Sequence, residues 1–252
     1  ATTEIYTLSL HDALPIFGRL RTTAEDIVDR MAEELAESDF KPVAFELGFG
    51  GRDGTLPAIT IQEGDATLSV SGKVDRVDGW LHDEKLYLRV VDYKTGRKSF
   101  DLSDVRYGLG IQMLLYLFTL EKEGQSCFGY PIVPAGVLYH PARDLILKAD
   151  RDITPEALRR AMDRELRRDG MVLGDPEVLR AMEHSALEAP HYLPIRVKKD
   201  GSISDGIASA EQLGKLGRYV EDLLHQIARE IGSGNIDADP VARRPQERAC
   251  DR

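Results

Sequence analysis

The sequence is poor in cysteine and has no long apolar run. Its 252 residues include two cysteines, Cys127 and Cys250, which is too few for a disulfide framework or an internal metal-binding repeat. No stretch approaches the ~20 consecutive apolar residues that a membrane span needs, and the opening has no basic region followed by an apolar one. We therefore expect a protein of a reducing compartment, the cytoplasm, without a membrane partner.

Basic charge is also scarce. The 33 lysine and arginine residues are outnumbered by 43 aspartate and glutamate residues, so the formal net charge is −10. An acidic chain has no general attraction for polyanionic nucleic acid. Any contact with DNA must therefore be local or shared with a partner. A composition of 42% hydrophobic and 30% charged residues is otherwise typical of a globular domain.

Residues 1–40 differ from the rest of the chain. The first 20 residues, ATTEIYTLSLHDALPIFGRL, continue no pattern found later, and we interpret them as a truncated or artefactual opening that is excluded from the fold argument. An amphipathic helix is predicted over the next segment, TTAEDIVDRMAEELAESDF. Residues 41–250 are predicted to form one domain.

Strand-like segments follow residue 41, and helical ones come later. The β-prone segments are PVAFELGF, PAITIQ, ATLSVSGKVDRVDGW, KLYLRVVDYK and PAGVLYHP. The run VRYGLGIQMLLYLFTL is too long for a strand, so we predict one buried helix. Further helices are predicted from Thr154 to a stop at Gly170, near Asp175, and after the capping-box pair Ser209 and Gln212. This order indicates an α/β fold, a mixed sheet flanked by helices with a C-terminal helical appendage.

The strand KLYLRVVDYK carries Asp92 and Lys94 on one face, because side chains alternate along a strand. A tight turn at GWLHDEK would place Asp75 of the preceding strand beside Asp92. Two carboxylates can supply oxygen ligands for Mg²⁺, which keeps several of its waters. Such an ion activates water and polarises a phosphoryl oxygen, and Lys94 would orient that water or neutralise developing charge. The three residues indicate hydrolysis of a phosphodiester bond.

Polar residues after this strand add a second indication. Gln112 and Tyr116 are four residues apart and share a face of the predicted helix. Because that helix is apolar nearly all round, we predict that Gln112 is buried and finds its partners in the strands beside it. Arg97, Lys98 and Arg106 could line a DNA entrance, although a solvated face explains them almost as well.

Three of these patterns together resemble a known nuclease family. A Gly-x-x-Asp motif ends at Asp75, an apolar strand ends in Asp-Tyr-Lys at Lys94, and a Gln-x-x-x-Tyr motif begins at Gln112. This combination resembles RecB-like nucleases of the PD-(D/E)XK superfamily. The segments FELGFGG, YGLGIQMLLYL, PAGVLYH, MVLGDPEVLRAM and KKDGSI are in addition similar to the AddB family, over roughly residues 40 to 250.

The resemblance implies a restriction-endonuclease-like PD-(D/E)XK fold and a deoxyribonuclease, an exonuclease that depends on Mg²⁺ or Mn²⁺. It implies three kinds of site residue: the metal ligands Asp75, Asp92 and the backbone carbonyl of Tyr93; the catalytic lysine Lys94; and the DNA-positioning pair Gln112 and Tyr116. It also implies an AddA-like helicase/nuclease partner that feeds a single DNA strand to this domain during double-strand break repair.

The sequence departs from the AddB pattern in two places. The family's nuclease domain is closed by a [4Fe–4S] cluster on four cysteines, and Cys250 resembles the first of the last three. Four thiolates cannot be assembled from this sequence, so we expect the cluster in a longer parent and not in this chain. The family's upstream metal-binding histidine is not assigned to His11.

Two alternatives stay open. The first is a stand-alone RecB-like exonuclease of the Cas4 kind, against which the downstream AddB-like segments count. The second is a non-catalytic scaffold that uses the same fold to bind DNA or the helicase partner. The intact set of two aspartates, one lysine and one glutamine argues against the scaffold, because binding alone does not need that alignment.

Overall fold

The computed structural model describes residues 10–51, 54–96, 98–143, 147, 152–235 and 237. The helices in this part of the chain are α1 (Leu10–Ala36), α2 (Leu102–Val105), α3 (Gln112–Phe128), α4 (Pro155–Leu166), α5 (Pro176–Met182) and α6 (Ala210–Gly232). The strands are β1 (Lys41–Phe49), β2 (Ile59–Glu63), β3 (Ala66–Val70), β4 (Gly72–His82), β5 (Lys85–Lys94), β6 (Ile132–Pro141), β7 (Asp169–Leu173), β8 (Arg196–Val197), β9 (Ile203–Ser204) and β10 (Ile207–Ala208).

A six-stranded mixed sheet forms the centre of the fold, in the order β1-β4-β5-β6-β7-β10. The pairs β1–β4, β4–β5 and β6–β7 are antiparallel, whereas β5–β6 and β7–β10 are parallel. The parallel pair β5–β6 requires a crossover, which α2 and α3 provide. The predicted mixed sheet flanked by helices is confirmed.

Helix α3 covers β5 and β6 with the first half of its sequence, which is mostly apolar. Leu114 and Leu117 are fully buried, as are Leu88 and Val90 on β5. The helix ends at Gly129, whose φ of 80° lies in the left-handed region and whose N–H returns to the carbonyl of Gln125. This packing holds the start of α3 beside the end of β5.

One predicted helix is wrong in extent. The run VRYGLGIQMLLYLFTL was expected to be a single helix, but α2 ends at Val105 and α3 begins at Gln112. Gly108 and Gly110 between them have φ of 74° and 67°, a conformation that interrupts a right-handed helix and suits glycine.

Three other boundaries differ from prediction. The segment ATLSVSGKVDRVDGW is two strands, because β3 pairs only with β2 and β4 joins the central sheet. Helix α4 ends at Leu166, before the predicted stop at Gly170, which belongs to β7. Helix α1 begins at Leu10, inside the opening that we excluded. The hydroxyls of Thr22 and Thr23 donate to carbonyls four residues earlier, so these threonines are interior residues and not N-caps.

Several local predictions are confirmed. Thr154 caps α4, with Pro155 at its first position, and Asp175 caps α5. Ser209 and Gln212 form the capping box of α6. The structure also contains a small hairpin, β8–β9, in the segment RVKKDGSISDG. Among the described residues, no helix combines the length and apolar character needed to cross a membrane.

Helix α1 is attached to the sheet through buried charges. Glu34 forms ion pairs with Arg89 of β5 and with Arg168, which precedes β7. Arg89 also pairs with Asp78 of β4 at 2.9 Å, and Asp78 pairs in turn with Arg76 at the same distance. All five side chains are buried. This charge network links α1 to β4, to β5 and to the residue that precedes β7.

Candidate active site

The β4–β5 hairpin brings two carboxylates together. Arg76 and Val91 form the last residue pair of the antiparallel β4–β5 ladder, and Asp75 and Asp92 are the next residues of the two strands at this end. Asp75 Oδ2 accepts a hydrogen bond from the backbone N–H of Tyr93 at 2.9 Å. The charge of Asp75 also acts on the Asp92 carboxyl group, so the two acidic groups lie near each other.

Asp92 is a buried aspartate, with 6% of its surface exposed. Burial raises the pKa of its carboxyl group, and the neighbouring charge of Asp75 raises it further. Lys94 opposes this effect, because its Nζ forms an ion pair with Asp92 Oδ2. Two adjacent, partly desolvated carboxylates disfavour joint ionisation unless cationic groups compensate them.

Tyr139 of β6 lies beside Asp92 on the side of β5 that faces away from β4. It lies opposite Asp92 in the parallel β5–β6 register, and the Lys94 Nζ is 5.6 Å from the centre of its ring. Burial raises the pKa of Tyr139 to about 12, with the charges of Asp92 and Asp169 contributing. The ring therefore carries a neutral hydroxyl at neutral pH and forms a cation–π contact with Lys94.

Gln112 is placed differently from prediction. It is the first residue of α3 and is exposed, so the expectation of a buried mid-helix amide is wrong. Its partner is Tyr116 and not a strand residue: Gln112 Nε2 donates to the Tyr116 hydroxyl at 2.7 Å. Tyr116 is buried and meets Phe49 edge-on, with ring centroids 5.1 Å apart.

Gly72 explains the glycine of the Gly-x-x-Asp motif. A Cβ at this position would lie 2.9 Å from Phe49 Cζ and 3.0 Å from both Cε1 and the hydroxyl of Tyr116. The absent side chain therefore leaves room for the Tyr116 ring against β4. Through Tyr116, Gly72 also determines where the Gln112 amide can be held.

A cleft of about 740 Å³ opens beside these residues. Its lining comes from the end of β5, the glycine turn before α3, and β6: Tyr93, Lys94, Thr95, Gly96, Lys98, Gly108, Gly110, Ile111, Gln112 and Tyr139. A smaller cavity of about 130 Å³ shares Lys94, Gly96, Lys98 and Tyr139 with this cleft. A separate groove of about 600 Å³ between β2, α3 and α6 shares no residue with either.

The remaining predicted residues divide into three groups. Lys98 lines both the cleft and the smaller cavity. Arg106 lines neither; it caps α2, and its carbonyl accepts a hydrogen bond from Tyr219 at 2.8 Å. Arg97 and Cys250 lie outside the described residues. Arg106 is therefore not brought into the site by the fold.

The sequence patterns did not indicate four residues that the structure places in this region. Tyr139 faces Asp92, and Arg143, Arg167 and Asp169 line the smaller cavity with Lys94. The pattern PAGVLYH predicts a buried strand but gives no indication of its neighbour. Only the parallel pairing of β5 with β6 and the return of β7 bring these side chains together.

The donor set is small but fits a hard divalent cation. Within the described residues, no cluster of three or more His, Cys, Asp or Glu side chains is arranged around a metal position. Mg²⁺ is commonly held by one or two protein carboxylates and completes its shell with water. Asp75 and Asp92, side by side and partly shielded from solvent, satisfy that requirement, and a bound cation would offset their mutual repulsion.

Comparison with known proteins identifies relatives along nearly the whole chain. It is 36% identical to an ATP-dependent helicase/deoxyribonuclease subunit of the AddB family from Acetivibrio thermocellus, over 229 residues that cover 90% of this chain. It is 35% identical to the corresponding subunit from Desulforudis audaxviator and 34% identical to the one from Thermoanaerobacter sp., each over 92% of this chain. The chain spans about a fifth of the length of these relatives, 20% in each case.

A family model described as the PD-(D/E)XK nuclease superfamily matches residues 9–252. The match includes both strands of the aspartate pair, the crossover helix and the C-terminal helices. With a mixed sheet flanked by helices and the Asp-Tyr-Lys strand at its centre, the chain belongs to the PD-(D/E)XK nuclease superfamily.

Proposed function

We propose that this chain is a metal-dependent nuclease domain that hydrolyses DNA phosphodiester bonds with Mg²⁺ or Mn²⁺. The observation that carries the proposal is that Asp75 and Asp92 lie near each other at the same end of adjacent antiparallel strands, with Lys94 in ion contact with Asp92. Membership of the nuclease superfamily and similarity to helicase/deoxyribonuclease proteins support the same chemistry.

Each site residue has a role in this proposal. Asp75 and Asp92 would hold the divalent ion, together with the backbone carbonyl of Tyr93. Once bound, that ion polarises the phosphoryl oxygen and lowers the pKa of a water molecule. Lys94 would orient the attacking water or neutralise charge that develops on the phosphate. Gln112, supported by Tyr116, would position the DNA backbone at the mouth of the cleft.

The setting of this activity is also a proposal. The names of the relatives support a longer protein in which this domain, residues 41–250, works beside an ATP-dependent helicase. An AddA-like helicase/nuclease partner would supply a single strand for exonucleolytic cleavage during double-strand break repair in the cytoplasm. A [4Fe–4S] cluster would belong to that longer parent.

A non-catalytic scaffold is the alternative from another functional class. Two carboxylates that share a pocket would weaken, not help, the binding of a polyanion unless a cation lies between them. The buried environment of Asp92 therefore favours the enzyme over the scaffold.

Cleavage of labelled single-stranded and double-stranded DNA in Mg²⁺ tests the proposed function. We expect activity in the wild type and a fall of at least about 100-fold in both Asp92→Ala and Lys94→Ala, because each removes a group that acts on the reacting phosphate. Lys122→Ala is a matched control, since Lys122 is an exposed lysine paired with Glu221 and lines neither the cleft nor the smaller cavity. Circular dichroism checks that every variant is folded. Wild-type activity retained by both Asp92→Ala and Lys94→Ala would remove the proposed mechanism.

A further inference from the structure

The smaller cavity lies where three strand ends meet. Lys98 follows the carboxyl end of β5, and Arg143 follows that of its parallel neighbour β6. Arg167 precedes β7, which runs antiparallel to β6, so its residues reach the same edge of the sheet. In open α/β sheets, ligands bind in the crevice outside the carboxyl ends of the strands. The position of the cavity is therefore that of a ligand site.

The lining of this cavity is basic although the chain is acidic. Its charged side chains are four cations and two carboxyl groups: Lys94, Lys98, Arg143, Arg167, Glu165 and Asp169. Burial raises the pKa of Asp169, which weakens its tendency to carry charge. The protein as a whole has a net charge of −10, so it needs a local surface with excess positive charge to contact DNA. The lining of this cavity is such a surface.

Both arginines are held in place by other groups. Arg167 Nη2 donates to the carbonyl of Pro190 at 2.6 Å. Arg143 Nη2 is 3.4 Å from Glu165 Oε2, and the Arg143 side chain is only 21% exposed. A guanidinium presents its donors in a planar fork that matches the oxygens of a phosphate group. The guanidinium groups of Arg143 and Arg167 are thus preorganised at the rim of a cavity that Lys94 also lines.

The size of the cavity limits what it can hold. At about 130 Å³ it exceeds the roughly 30 Å³ of one water molecule several-fold. It is much smaller than the roughly 300–1,000 Å³ pockets that enclose drug-sized ligands. A phosphate group with a few waters fits this space, whereas a complete nucleotide does not. The neighbouring cleft of about 740 Å³ is large enough for a nucleotide.

We propose that the cavity lined by Lys98, Arg143 and Arg167 is a binding subsite for a backbone phosphate next to the scissile one. The proposal rests on the proposed function, because Lys94 joins this subsite to the aspartate pair. A DNA strand would pass from the cleft beside Gln112, over Lys94, to this phosphate subsite. The scissile phosphate then lies between a nucleotide-sized space and a phosphate-sized space.

Binding measured without cleavage tests the subsite. The probe is a fluorescein-labelled oligothymidylate of about 12 nucleotides, titrated with Asp92→Ala chain at several salt concentrations and followed by fluorescence anisotropy. Adding Arg143→Gln should reduce the slope of log affinity against log salt by about 0.7, the value for one phosphate contact on a single strand. Arg229→Gln is the matched control, since Arg229 also pairs with a glutamate, Glu63, and lines neither cavity. An unchanged slope in Arg143→Gln, or an equal fall in Arg229→Gln, would overturn the proposal.

A second probe locates the contact on the DNA. Single phosphates of the oligothymidylate are replaced one at a time by neutral methylphosphonates. At one position the replacement should weaken binding by the Asp92→Ala chain and have no further effect once Arg143→Gln is added. If Arg143→Gln does not fold, Lys98→Gln takes its place with the same expectation. An equal loss of affinity for methylphosphonates at every position, both with and without Arg143→Gln, would contradict a discrete subsite.

The two proposals fail in different ways. One outcome is that Arg143→Gln reduces the salt slope as expected while the wild-type chain does not cleave DNA. That outcome would refute the proposed function and leave the subsite standing. A chain that cleaves DNA but shows the same salt slope with and without Arg143→Gln would refute the subsite alone.

Discussion

Replacement of Glu34 by glutamine removes one of the two carboxylates, Glu34 and Asp78, from the buried charge network between α1 and the sheet. Burial alone would raise the pKa of Glu34, but Arg168 and Arg89 outweigh it and hold the pKa at about 2. Both arginines are themselves buried. The substitution keeps the side-chain shape but leaves these guanidinium groups undercompensated, so it tests whether the network stabilises the fold.

The expected cost follows from the pKa and from the burial. A pKa lowered from 4.5 to about 2 corresponds to about 3 kcal/mol of stabilisation, because each pKa unit is worth about 1.4 kcal/mol. Removing one partner of a buried ion pair costs about 3–5 kcal/mol by comparison. We therefore expect Glu34→Gln to lower the free energy of unfolding by about 3–5 kcal/mol at pH 7.

The same pKa gives the pH dependence. Because the folded-state pKa of Glu34 lies below its ordinary value, its contribution is complete above pH 4.5 and is lost as the pH falls towards 2. The stability difference between wild type and Glu34→Gln should therefore narrow below pH 4.5. His140 also faces Glu34, but burial and then Arg168 lower its pKa to about 3, so it is neutral at pH 7 and adds no charge to the network.

Urea unfolding followed by circular dichroism measures this free energy. Glu33→Gln is the matched control, because the neighbouring Glu33 is exposed on the same helix and should change stability by less than about 0.5 kcal/mol. A Glu34→Gln variant within about 1 kcal/mol of this control would refute the reasoning, since a broken buried ion pair costs several times more. A stability difference that stays constant down to about pH 3 would refute the assigned pKa.

Substitutions at two further positions test the packing behind the site. Gly72→Ala should lower DNA cleavage and cost about 1–3 kcal/mol of stability, because its methyl group displaces Phe49 and Tyr116; urea unfolding and cleavage assays measure both. Tyr139→Phe should keep wild-type kcat because the ring over Lys94 remains, whereas Tyr139→Leu should lower kcat several-fold by removing a cation–π contact worth about 1 kcal/mol. Equal rates for the two Tyr139 variants would exclude this role of the ring.

Local patterns predicted much of the fold. The alternation in KLYLRVVDYK and the turn before it predicted the β4–β5 hairpin and therefore the approach of Asp75 to Asp92. Side-chain caps predicted the starts of α4, α5 and α6, because an N-cap depends on residues within one turn. These features are determined by neighbours in the chain.

Features that depend on distant residues were not predictable in the same way. Hydrophobic content suggested a helix across Gly108 and Gly110, but the chain turns there so that α3 can start beside the end of β5. The role of Tyr139 requires knowledge that β6 lies parallel to β5. Glu34 likewise looks like one more acidic residue on an amphipathic helix, and only the three arginines from β4, β5 and the start of β7 explain its burial.

Calorimetric titration with Mn²⁺ tests the shared cation pocket most directly. The wild type should bind close to one Mn²⁺ per chain at this pocket, and Asp75→Asn combined with Asp92→Asn should abolish that binding while circular dichroism stays unchanged. Glu177→Gln combined with Glu211→Gln serves as a control, since these exposed carboxylates lie on α5 and α6 away from the cleft lining. Undiminished Mn²⁺ binding by the double aspartate variant would contradict the account.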